Sequence, residues 1–152
     1  MKNTPYLTLL LTCGIILAGC IDDPDLNTPE SAPIIVDYSL YVYYSKLPQA
    51  ELSIEDGEII KDILKLTVSF LGGCHEHEFI LIASTGYEKS NPPRAHILLA
   101  HNNKDDTCTD KISKTLLFDL SPLKEFDPSG MGKFGTILIP LKGLAEPLRY
   151  EF

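Results

Sequence analysis

The chain has 152 residues and a formal charge of −8 at pH 7, with a pI near 4.9. That length accommodates a leader and one domain with a real hydrophobic core. Its lysines and arginines are scattered singly, which excludes a nucleic-acid surface, since that needs concentrated cationic side chains.

The first twenty residues, MKNTPYLTLLLTCGIILAGC, have the parts of a secretory signal: Lys2, then the apolar run Leu7 to Ile16. They close on Leu17-Ala18-Gly19-Cys20, which resembles the lipobox of bacterial lipoproteins: a large aliphatic residue, two small ones and a cysteine. In that family the cysteine thiol is diacylated, the chain is cleaved before it, and the new amino terminus is acylated. The resemblance therefore implies a signal peptide over 1–19, with Cys20 as the lipidated residue. Cys13 would leave with the leader. Ile21 is not the aspartate associated with inner-membrane retention, so the resemblance also implies an outer-membrane location, facing the periplasm or the cell surface.

Residues 20–32 carry the lipidated cysteine and then IDDPDLNTPESA, whose acids and prolines cannot bury enough apolar surface to fold and hold the segment extended. This is the expected tether, with the domain over 33–152. So acidic a domain is repelled by anionic headgroups, which leaves membrane contact to the acyl chains. Beyond the leader no apolar run reaches the roughly 18 residues of a bilayer span.

In the domain, Ile34 to Ser45 alternates with a period of two, which predicts a strand. Its tyrosines serve either cross-strand packing or a binding surface. Asp56-Gly57 is a turn signal, and Glu58 to Leu64 could open as a helical turn. Leu64 to Phe70 alternates again and stops at Gly72-Gly73. Phe79 to Ala83 and Ala95 to Ala100 form a predicted hairpin. Its register sets Phe79 opposite Leu99, Leu81 opposite Ile97 and His77 opposite His101, with a long polar loop from Ser84 to Pro93. Asn102 to Thr107 reads as a turn and Thr115 to Leu120 as a strand. Ser121-Pro122 suits the start of one helical turn. Asp127 to Gly135 reads as a loop, Thr136 to Leu141 as a strand pushed to a sheet edge by Pro140, and Leu148 to Phe152 as a short last strand. The fold class is all-β: an antiparallel β-sandwich, immunoglobulin-like in architecture, closed by one disulfide.

That disulfide is Cys74–Cys108, the pair remaining in an exported chain, favoured over free thiols or thiolate ligands. All four histidines lie between or just beyond the ends of the hairpin. His75, His77 and His101 could converge at its open end to bind Zn or Cu, which accept imidazole nitrogen, with Asp105 or Asp106 as an oxygen donor. The alternative is hydrogen-bonded or solvated histidines. His96 falls on the opposite face. Asn102 to Asp106 lacks the spaced acids, central Gly and closing Glu of an EF-hand. HEHEF is not H-E-x-x-H, Gly130 to Lys133 is not a phosphate loop because Phe134 follows the lysine, and no G-x-S-x-G is present.

The reading that follows is a lipid-anchored envelope protein with a non-catalytic binding domain. It has no nucleic-acid partner, its membrane contact is through Cys20, and it takes a protein partner in the envelope. A periplasmic Zn or Cu protein is one alternative. Others are an envelope hydrolase and an inhibitor of a secreted enzyme acting through Ser84 to Pro93.

Overall fold

The computed structural model describes residues 31–126 and 135–152. The signal peptide, Cys20, nearly all of the expected tether, and the expected loop at Asp127–Gly135 apart from Gly135 lie outside the described residues, as does the Gly130–Lys133 run.

The described chain folds as a two-sheet β-sandwich. Nine strands alternate with short helical turns: β1 (Ala32–Pro33), β2 (Ile35–Val36), α1 (Tyr38–Val42), a 3₁₀ turn at Tyr44–Lys46, β3 (Ser53–Ile60), β4 (Ile63–Gly72), β5 (Glu78–Glu88), β6 (Arg94–Asn102), β7 (Asp110–Asp119), a 3₁₀ turn at Ser121–Phe126, β8 (Thr136–Ile139) and β9 (Leu148–Glu151). One sheet has the order β1-β7-β4-β3, the other β2-β5-β6-β8-β9. Pairing is antiparallel along the long ladders, while β1–β7, β2–β5 and β6–β8 are short parallel additions. Ala32, assigned above to the tether, already pairs with Phe118.

The period-two pattern works as expected where strands are long. Leu64, Leu66, Val68 and Phe70 of β4 turn inward, as do Leu116 and Phe118 of β7. They meet Leu81 and Ala83 of β5, Ala95 and Ile97 of β6, Ile137 and Ile139 of β8, and Tyr150 of β9 in one core. Each fully buried leucine or isoleucine contributes about 1.5–3 kcal/mol over its exposed state, which makes this the dominant favourable term.

Four expectations are corrected. Ile34 to Ser45 is a two-residue strand and a helix, because Asp37 Oδ1 accepts from Ser39 N at 2.7 Å and Leu40 N at 3.1 Å and so caps a helical start. Asp56-Gly57 is not a turn but lies inside β3, beside a bulge between Ile54 and Asp56. The turn comes instead at Lys61-Asp62, where Lys61 takes φ 56° and the Ile60–Ile63 pair closes the hairpin. Gly57 sits at a close approach: a Cβ there would stand 3.0–3.2 Å from methyl carbons of Leu66, Leu144 and Leu148, tighter than an ordinary contact. The β5–β6 hairpin pairs Phe79 with His101, Leu81 with Leu99 and Ala83 with Ile97, two residues away from the expected register. Ser84 to Glu88 belongs to β5 through a bulge, so the connecting loop shrinks to 89–93. Finally, β8 is not an edge: β9 pairs with its other side, and Pro140 falls just past its end.

Candidate functional site

The site begins with the turn after β6. Lys104 and Asp105 both take positive φ, 53° and 57°, and Asp106 N donates to Asn103 O at 2.9 Å. This reversal buries the Asp106 carboxylate. Its Oδ2 accepts from three successive backbone N–H groups, Gly73 at 3.0 Å, Cys74 at 2.9 Å and His75 at 2.9 Å. Its Oδ1 accepts from Cys108 N at 2.9 Å. Successive N–H groups curled around an anion form a backbone nest. The bond from Cys108 N, joined by those from His75 and Cys74 and opposed by burial, holds the carboxyl far below the usual carboxylate range.

Oδ2 also lies 3.3 Å from His77 Nε2, with both side chains shielded from solvent. His77 Nδ1 faces His101 Nε2 at 2.8 Å, and His101 Nδ1 faces the Ala50 carbonyl at 3.1 Å. The backbone of His101 grips the same crossover segment: Ala50 N donates to its oxygen at 2.9 Å, and its own N–H donates to Pro48 O at 3.2 Å. Aromatic walls enclose the pair. Phe79 stacks on His101 with centroids 4.6 Å apart, and Phe70 lies 4.5 Å from His77 and 5.1 Å from His101. Burial lowers the His101 pKa; the Ala50 carbonyl opposes this, and the neighbouring His77 lowers it again. Gly72 makes room for the arrangement, since a Cβ there would sit 2.7 Å from the His77 ring.

The disulfide joins Cys74 to Cys108 beside this nest, Cα to Cα 5.8 Å. The expected metal set is only half assembled. His77 and His101 meet, but His75 is exposed, and it reaches Asp106 through its backbone N–H alone. All four ring nitrogens of the buried pair face hydrogen-bond partners, and two nitrogens 2.8 Å apart leave no room for an ion that needs about 2.0–2.1 Å to each. Cys74, Asp106 and Cys108 form the one close group of potential ligand atoms among the described residues, and its sulfurs are bonded to each other. His96 stands apart, its ring 5.7 Å from Tyr41. Spacing had flagged the histidines, but Asp106 had been weighed only as an oxygen donor.

Two clefts flank the crossover between the 3₁₀ turn and β3. One, about 470 Å³, is lined by Ala50, Glu51, Ser69, Phe70, His101 and Lys111; the other, about 620 Å³, by Tyr44, Gln49, Leu98, Leu141 and Lys142 among others. Lys111 is already paired with Glu55 at 3.5 Å. Large apolar side chains stand exposed on the capped segment: Tyr38 at 63 %, Tyr43 at 56 % and Val42 at 51 %. Ile35, also exposed, lies opposite Ile82 in the β2–β5 register, close to the exposed Ile80 two residues along β5. The α1 helix packs against β5, so these residues share one corner.

Fold and site together define a small disulfide-closed β-sandwich with an anion-centred polar network at one end and an aromatic corner on its surface. No protein-family model and no curated protein matches the chain. Among solved structures it is similar to a NigD-like immunity protein from Bacteroides caccae, at 16 % identity and a TM-score of 0.53, covering 72 % of this chain and 51 % of that one. It is also similar to a protein of unknown function, DUF1344, from Bacteroides vulgatus, at 16 % identity and a TM-score of 0.44, covering 80 % and 56 %. A third match is a Parabacteroides distasonis protein described as toxin-related, at 19 % identity and a TM-score of 0.45, covering 80 % and 58 %. The chain thus spans little more than half the length of the structures it matches. The first of these likenesses is one of fold.

Proposed function

We propose that this chain is a lipid-anchored envelope protein whose domain is a non-catalytic binding module for a cationic protein, in the manner of an immunity protein. The observation that carries the reading is the aromatic corner on an acidic chain. Tyrosine gives large, stiff contact area with a polar tip and is enriched at the centres of interfaces. Asp37 is partly exposed at the cap of the same segment, and Lys46 Nζ lies 4.6 Å from the Tyr43 ring, a position that a partner's cation would take in turn. The net charge of −8 would speed the approach of a partner of opposite sign. The fold likeness to a NigD-like immunity protein supports the same role. In this reading the anchor is Cys20, the last residue of the lipobox.

The binding half of the proposal is tested with the oxidised protein as bait against secreted proteins of the source organism and its neighbours. A captured partner is then titrated against the wild type and a Tyr38→Ala, Tyr43→Ala double variant. Central tyrosines commonly contribute 2 kcal/mol or more, so the expected loss is about thirtyfold or greater. Equal affinity for both forms would remove the corner from the interface. The anchoring half predicts that acyl-chain labelling in cells disappears in Cys20→Ser.

A further inference from the structure

We propose that the buried His77–His101 pair stores one proton more than two neutral imidazoles carry, with Asp106 as its counter-ion. The argument is a count. Three hydrogen bonds run in series, from Asp106 Oδ2 to His77 Nε2 (3.3 Å), from His77 Nδ1 to His101 Nε2 (2.8 Å) and from His101 Nδ1 to Ala50 O (3.1 Å). Both ends of the series are obligate acceptors: one is a carboxylate that already accepts three backbone N–H groups on the same oxygen, the other a peptide carbonyl. Each contact needs one proton, so three are required, whereas two neutral rings supply two. With only two, a pair of lone pairs would face each other across one contact between buried side chains, and an unsatisfied buried polar group costs about 1–3 kcal/mol.

Hydrogen-bond direction also places the charge. His101 must donate from Nδ1 to Ala50, so as a neutral ring it accepts at Nε2, and His77 donates from both nitrogens. The cation then sits beside Asp106 and against the Phe70 ring, 4.5 Å between centroids, where an aromatic face favours it. The lowered His101 pKa agrees, since it keeps a second surplus proton off the pair. The charged groups facing the pair are few. Asp106 reaches it from the turn, Glu51 from the crossover, and Lys111 from β7 across the cleft beside His101. Lys114 of β7 stands 5.7 Å from the Phe79 ring that stacks on His101, and Glu78 and Lys104 neutralise each other at 2.6 Å at the hairpin end. Among the described residues Asp106 is the one acidic side chain hydrogen-bonded to the pair. The proton works as a latch: its release leaves one contact without a hydrogen, and the ring bond that holds Ala50 and the crossover is one of the three at stake.

The test is histidine-ring ¹⁵N NMR on the full chain in detergent, with exposed His75 as the internal reference. At pH 7 the expected pattern is three ring N–H groups on the pair, two on His77 and one on His101 Nδ1, with His101 Nε2 bare. Raising the pH should release a single proton sensed by both rings. One N–H on each ring at pH 7 would overturn the proposal. In Asp106→Asn, loss of the opposite charge should move that release at least about one pH unit lower, a tenfold weaker hold on the proton. An unchanged release would remove Asp106 as counter-ion, and should the variant fail to fold, the wild-type spectrum decides alone.

Discussion

Asp106 gathers four backbone N–H groups that the bend after β4 and the approach to β7 would otherwise leave without acceptors, and burial makes each such group costly. It can do so only as an anion, which ties local structure to pH. In the unfolded chain the carboxyl takes a proton near pH 3.9, while in the folded chain its pKa lies far below the ordinary range. Below about pH 4 the unfolded state therefore binds more protons, and stability falls as the pH drops towards the folded value. His101 acts in the same direction from higher pH. Its folded pKa is depressed, so the stability of its neutral form is present above about 6.5 and erodes as the pH falls through that value. The urea midpoint of the wild type should thus decline in two stages on acidification. Asp106→Asn should start lower at pH 7 and lose the second stage. An Asn variant with an unaltered acid limb would show that other carboxylates govern acid unfolding.

At the scale of elements, what could be read from sequence was what period two determines. The inward sets of β4 and β7 and the apolar faces of the β5–β6 hairpin stand as the alternation predicts. The hairpin register was misjudged because a slip of two residues leaves every side chain on its own face, so the pattern cannot detect it. What sets the register is the stack of Phe79 on His101 and the two extra residues bulged out between Ala83 and Tyr87. In Ile34 to Ser45 the tyrosines' preference for strands concealed the cap at Asp37, and a short helix won locally through two backbone N–H bonds. Asp56-Gly57 misled for another reason: the glycine lies where three leucines pack closely against it, a long-range fact with no local signature. The true turn is pinned from outside the hairpin, by Tyr150 Oη and Lys124 Nζ on Asp62 Oδ1, each 2.8 Å. Of the site, the histidines and cysteines were visible as residue types, while the nest around Asp106 depends on φ values at Lys104 and Asp105 that composition does not reveal.

For the whole molecule the decisive connection is the excursion between sheets. β4 and β7 are neighbours in one sheet, yet the chain between them leaves to build the β5–β6 hairpin of the other. Cys74 follows the end of β4 and Cys108 precedes β7, just beyond the final Gly72–Asp110 pair, so the disulfide closes the neck of that excursion. With the two cysteines 34 positions apart in sequence, the chain-entropy estimate is roughly 3–4 kcal/mol. Against the 5–15 kcal/mol typical of a domain, that is a large fraction, and the nest on Asp106 ties the same neck without a covalent bond. Equilibrium urea unfolding of the wild type and a Cys74→Ser, Cys108→Ser variant should therefore differ by about that amount, with both forms folded at neutral pH. A difference below about 1 kcal/mol would mean that the nest already restricts the unfolded chain or holds the neck alone. A loss of the fold would make the staple a condition of the structure. In that case the domain could mature only where disulfides form, so the energetics of the neck would themselves require an oxidising compartment.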